Sequence, residues 1–217
     1  VFHKLKSDLA AAFLGIGAYI AAFMLNHVSS DAFLAVITSG LAAAIAGVII
    51  GLPSLRLNPL YIAMVTFGFG QAVNLVAINW IAVTGGPNGL GVNVPTLFSK
   101  EFSGTALYVG IALVFVLCLW ISRSTKASRL GRAFLAIKES EIAGKSMGVH
   151  VDRYKIIAFT IGAMMGGVAG GLYALVSGYV NPDAFVFQVS ILLVTMCIVG
   201  GLGQLYGPVI GACIFTI

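Results

Sequence analysis

Charged residues divide the chain into long apolar stretches: residues 9–30, 32–55, 57–99, 102–122, 156–182 and 184–217 contain no Asp, Glu, Lys or Arg. An α-helix rises about 1.5 Å per residue, so roughly 20 residues cross a hydrocarbon layer of about 30 Å. Each stretch therefore holds a crossing, and the two longest need interior breaks. The pattern predicts helical spans over 9–27, 32–52, 60–82, 104–122 and 156–177, with a sixth membrane element near 188–200. A further apolar stretch opens at Pro208 and reaches Ile217, too short for a helical crossing. With Val1 rather than Met at the start, the pattern reads as a chain truncated at both ends.

Composition strengthens this reading. Hydrophobic residues make up 59% of the 217 and charged residues 9%, with 27 glycines and a mean hydropathy of +1.05. Soluble domains have about 45–50% apolar and about 25% charged residues, so a water-soluble globule is excluded and lipid is the solvent. Lys4 and Lys6 before the first apolar run also fit a cleaved signal peptide, which would leave the later spans in place. Cys118, Cys197 and Cys213 have no paired spacing and sit in apolar stretches. They read as small hydrophobes, and neither a disulfide framework, a metal site nor a cofactor is expected.

Charge supplies an orientation. The segment 123–155 carries Arg123, Lys126, Arg129, Arg132, Lys138, Lys145, Arg153 and Lys155 against Glu139, Glu141 and Asp152, and so accounts for the whole net charge of +5. Basic residues concentrate in cytoplasmic loops, which explains the sequence pI of about 9.2 without a nucleic-acid partner. With 123–155 cytoplasmic, counting crossings backward puts Arg56, Lys4 and Lys6 on the same side. Eleven of the twelve basic residues then agree with one topology, Lys100 being the exception, and Trp80 and Trp120 fall at opposite interfaces.

No ionisable side chain lies mid-span, which counts against proton-driven transport and voltage sensing, although a sodium site of backbone carbonyls is compatible. HExxH, GxSxG and GxxxxGK[ST] are all absent. Intramembrane catalysis is disfavoured, and any ATP hydrolysis belongs to another chain.

Small and polar residues form two stripes. In the fifth span Gly162, Gly166 and Gly170 recur every fourth residue, with Gly167 and Gly171 as a second row, a spacing that permits close helix packing. In the third span Thr66, Gly70 and Asn74 share about one face, with Gln71 adjacent. These groups either join helices or line a wet translocation path. TGGPNGLG, 84–91, predicts an outer loop folded over the mouth of the third span. GGLGQLYGP, 200–208, predicts a tight inner turn or re-entrant corner, not a dinucleotide loop.

The cytoplasmic loop predicts a helix over 130–147, LGRAFLAIKESEIAGKSM, closed by Gly148. Leu130, Phe134, Ile137 and Glu141 fall on one face. Such a helix either lies on the membrane surface or seats in a groove of a cytoplasmic partner, and the second reading is preferred here.

Four stretches carry a family resemblance: 51–90, beginning GLPSLRLNPLYIAMVTFGFG; 128–155, SRLGRAFLAIKESEIAGKSMGVHVDRYK; 171–185, GLYALVSGYVNPDAF; and 200–212, GGLGQLYGPVIGA. In them the chain resembles the permease subunits of bacterial branched-chain amino-acid ABC transporters, more closely the M-type than the H-type. SDLAAAF at 7–13 departs from the family's SLGHAAF-like motif at Asp8 and Ala10. The resemblance implies an all-α, polytopic transmembrane helical bundle occupying 1–217 as one permease domain. It also implies a coupling helix within the cytoplasmic loop 128–155, in a multi-pass protein of the bacterial inner membrane. The partners it implies are a second, H-type permease subunit, two ABC ATPase subunits and an external solute-binding protein, with branched-chain amino acids, urea, amides or other amino acids as solute. ATPase coupling would then fall to Arg132, Phe134, Ile137, Glu139, Glu141, Gly144 and Gly148, and the path to Thr66, Gly70, Gln71 and Asn74. Two competing classes are an ATPase-independent carrier or channel and an interaction subunit without a path of its own.

Overall fold

The computed structural model describes residues 2–28, 31–54, 59–93, 96–97, 100–101, 104–140, 148, 150–185, 187–201 and 207–216. The helices among them are α1 (Phe2–His27), α2 (Ala32–Ser54), α3 (Pro59–Asn79), the single turn α4 (Ile81–Thr84), α5 (Gly104–Ala127), α6 (Arg129–Glu139), α7 (Val151–Ser177), α8 (Phe187–Val199) and α9 (Gly207–Thr216). Short strands β1 (Leu90–Gly91) and β4 (Tyr179–Val180) pair antiparallel, as do β2 (Thr96–Leu97) and β3 (Lys100–Glu101). Among the described residues, four segments are long and apolar enough to cross a membrane: Ala32–Pro53, Gly104–Ala127, Val151–Ser177 and Pro182–Val199. The chain is a multi-pass membrane protein with an all-α bundle.

The packing inverts that of a soluble protein. On α2 the large side chains of Leu34, Ile37, Leu41, Ile45 and Leu52 recur at helical spacing and are exposed, while Ala35, Ser39 and Ala43 on the other face are fully buried. Ala18, Ala21, Ala22, Ala163 and Ala174 are likewise fully enclosed. Lipid tails solvate Leu and Ile as well as a protein interior does, so no gain comes from hiding them. Small faces, by contrast, let backbones approach and gain dispersion contacts. α7 accordingly runs along both α1 and α2, and α3 leans on α1. α5 has no buried residue and meets the bundle at few points, one being Ser122 Oγ, 3.6 Å from Met165 Sδ on α7.

Two helix boundaries differ from expectation. The third span stops at Asn79 rather than continuing to 82, because Trp80 leaves helical geometry at φ −89°, ψ 62°. Thr84 anchors the break: its hydroxyl donates toward the carbonyls of Ala77, at 2.6 Å, and Trp80, at 2.8 Å, and accepts from the Gly86 N–H at 3.2 Å. The loop helix ends at Glu139 instead of running to 147, since Ser140 is extended at φ −158°, ψ 122°. Serine competes for backbone hydrogen bonds and favours helix ends. Glu141 and Gly144 lie outside the described residues, and Gly148 has φ +77°.

Candidate functional site

At one end of the bundle the loop after α3 folds into a cap. Gly85, at φ +73°, turns the chain at a point where a Cβ would collide with the Gly89 carbonyl, so only glycine fits. The loop then pairs Leu90 with Val180 and Gly91 with Tyr179, and Val92 N–H donates to the Gly178 carbonyl at 2.9 Å. The Tyr179 hydroxyl donates to the Asn88 carbonyl. Asn26, at the end of α1, closes the arrangement from below: its amide donates to the Gly91 carbonyl at 2.7 Å and accepts from the Asn93 N–H at 3.0 Å. The TGGPNGLG loop thus ties α1, α3 and α7 together. The glycines suggested the turn, but nothing local to the sequence marked Asn26 or Tyr179 as its partners.

Beneath the cap lies a small cleft between α1, α3 and the Pro182–Phe185 turn. Gly70 and Asn74 line it, together with Gly15, Tyr19 and Phe185. Asn74 is half-buried and donates to the Pro182 carbonyl at 3.1 Å, so this amide joins α3 to the turn. Gln71 is exposed on another side of α3, and of Thr66 only the backbone is described. The polar stripe read from spacing is therefore divided: Gly70 and Asn74 face the bundle, whereas Gln71 does not. Tyr19, whose ring stands edge-on to Phe185 at 6.1 Å, was not singled out by the sequence.

The glycines of α7 divide in the same way. A Cβ on Gly170 would collide with the Leu14 carbonyl of α1, and one on Gly167 would lie 2.6 Å from the Ser39 carbonyl of α2. One on Gly171 would lie 2.5 Å from Ser39 Oγ, and from the α1 side one on Gly17 would lie 2.6 Å from Gly167 Cα. Gly162 differs from Gly170 in its surroundings. It is exposed, and a Cβ there meets nothing within 4 Å among the described residues. Gly166, of the same row, is half-buried. The enclosed face is instead Ala163, Gly167, Gly170, Gly171 and Ala174.

At the opposite end, α5 turns into α6. The Ser128 hydroxyl caps the new helix by accepting from the Leu130 N–H at 3.2 Å, while donating to the Thr125 carbonyl at 2.7 Å. A Cβ at Gly131 would collide with the Lys126 carbonyl, so glycine is needed for so close a turn. Phe134 stands edge-on to Tyr154 of α7, with ring centroids 6.2 Å apart, and Ile137 is half-buried. Phe134 thus holds α6 against α7 of its own chain. Arg132 is exposed, and so is Leu135, an apolar side chain 64% exposed that the sequence reading passed over. Of Glu139 only the backbone is described.

Comparisons with known proteins agree on one family. The chain is 36% identical over 231 residues to the high-affinity branched-chain amino acid transport system permease protein LivM of Escherichia coli K12, which covers 94% of this chain and 54% of LivM. It is 31% identical over 150 residues to LivH of the same organism, covering 64% of this chain and 48% of LivH. To the autoinducer 2 import system permease protein LsrC of Klebsiella pneumoniae it is 28% identical, covering 80% of this chain and 51% of LsrC. The chain thus spans about half the length of the curated relatives it matches. No solved structure matches it. The family described as "Branched-chain amino acid transport system / permease component" matches residues 8–217, and the chain belongs to that family.

Proposed function

We propose that this chain is a membrane-spanning subunit of an ATP-binding-cassette importer, moving branched-chain amino acids or a related small solute across the bacterial inner membrane by alternating access. The similarity to LivM along 94% of the chain carries the reading. LsrC, a relative named for autoinducer 2 import, keeps the solute class wider than Leu, Ile and Val. The working partners are a second permease of the H type, two ATPase subunits and an external solute-binding protein. This chain binds no ATP by any motif of its own, so the energy arrives through contact.

α6 is the contact element, on the cytoplasmic side with the basic segment 123–155. Phe134 seats it on α7, and Arg132 and Leu135 face outward toward the ATPase. Glu139, Glu141, Gly144 and Gly148 continue the docking segment. Movement of α6 reaches α7 through the Phe134–Tyr154 contact and, through α7, the glycine-packed faces of α1 and α2. Gly70 and Asn74, with Thr66 and Gln71 on the same helix, border the path. The direct test reconstitutes the full-length permeases with their ATPases and introduces Leu135→Asp, Glu141→Trp or Gly144→Trp. Each is expected to reduce stimulation of ATP hydrolysis by solute-loaded binding protein by at least about tenfold while leaving the complex in the membrane. Full stimulation in all three variants, or solute flux through the permease pair without ATPases, overturns the assignment.

A further inference from the structure

We infer that the cleft between α1, α3 and the Pro182–Phe185 turn is a binding site for one compact, uncharged hydrogen-bonding group, with the Tyr19 hydroxyl as its fixed ligand. Tyr19 is only 9% exposed, and its hydroxyl is the one buried side-chain polar atom without a hydrogen-bond partner among the described residues. Such a group is costly anywhere, and more so in a membrane bundle, where no bulk water reaches it. The Tyr19 ring stands edge-on to Phe185, with centroids 6.1 Å apart.

The surroundings define the guest. Gly15 and Gly70 contribute no side chains, which leaves the space open, and Ala12, Val73 and Ala77 make the remaining wall apolar. Asn74, held by its bond to the Pro182 carbonyl, lines the same cleft, and its amide carries an acceptor oxygen as well as donors. Among the described residues no carboxylate or ammonium lines the cleft, and the carboxylate of Asp183 acts on Tyr19 from close by, so an anion would meet no counter-charge. The enclosed part has room for about one water molecule. A water fits this chemistry, as does the hydroxyl or amide end of a neutral solute. In either case the guest bridges α1 to α3. The second source rests on the permease reading; the first does not.

Tyr19→Phe in the full-length permease keeps the ring and removes the ligand. With a resident water, the unfolding midpoint in detergent falls by about 2–4 °C without solute, and the half-saturating solute concentration in vesicles is unchanged. With a solute end as the guest, the solute-free midpoint is unchanged and half-saturation rises about fivefold or more. In the water case Tyr19→Phe combined with Asn74→Ala lowers the midpoint by less than the sum of the two single variants, because both remove the same guest. The stability arm stands even if the protein transports nothing. A Tyr19→Phe protein with an unchanged or raised midpoint and unchanged half-saturation overturns the site.

Discussion

Gly170 and Gly162 look alike in the sequence, each a member of a four-residue repeat, yet they occupy opposite situations. At Gly170 the obstacle is the Leu14 backbone carbonyl, which no rotamer change can move, so a larger residue must push α1 and α7 apart. Gly170→Ala is expected to cost about 3 kcal/mol or more. Gly162→Ala, facing open space, is expected to be neutral or to stabilise by up to about 1 kcal/mol through helix propensity. Thermal unfolding of the two variants side by side in one detergent checks the contrast, and equal midpoints would contradict it. Thr84 is a second such case: Thr84→Val keeps the shape but leaves the Ala77 and Trp80 carbonyls without their hydroxyl donor, at a cost of about 1–3 kcal/mol. Nothing in the repeat spacing separated Gly162 from Gly170, because the difference lies in where α1 and α2 run.

Among the helices, α6 shows how periodicity identifies a face without saying what covers it. Its apolar positions did mark a packed side, but that side is turned toward Tyr154 of the same chain, and the free apolar group is Leu135. Phe134→Ala is therefore expected to loosen α6 from α7, costing about 1–2 kcal/mol for a half-buried ring and raising proteolysis near residues 128–140 in the purified protein. Leu135→Ala is expected to leave stability and proteolysis unchanged. The same ambiguity appears in α2, whose large residues read as a core face by soluble-protein habits and are in fact its exposed face. Membrane solvent reverses the meaning of the pattern, leaving small residues as the better guide to what is inside.

Across the whole molecule, α1, α2 and α7 pack as one glycine-mediated unit, while the cap joins α1, α3 and α7 at the end away from α6. The cap is expected to stay closed during transport. Leu90 and Val180 sit directly opposite in the β1–β4 pair, within the usual reach of a disulfide. A Leu90→Cys, Val180→Cys double variant is expected to oxidise readily and retain solute uptake; loss of uptake on oxidation, restored by reductant, would instead make the cap a moving part. Membrane-impermeant thiol labelling of Leu135→Cys from the cytoplasmic side and of Asn88→Cys from the other checks the orientation. The apolar stretches, the approximate limits of most helices and the basic loop were legible in the chain, because each depends on runs of neighbouring residues meeting lipid or water, although only four segments among the described residues are long and apolar enough to cross. The Asn26–Gly91 and Asn74–Pro182 bonds link residues 65 and 108 positions apart, and the unpartnered Tyr19 hydroxyl is defined by what surrounds it. Only the tertiary structure could decide these, since a hydrogen bond or a backbone collision depends on distances that local sequence does not encode.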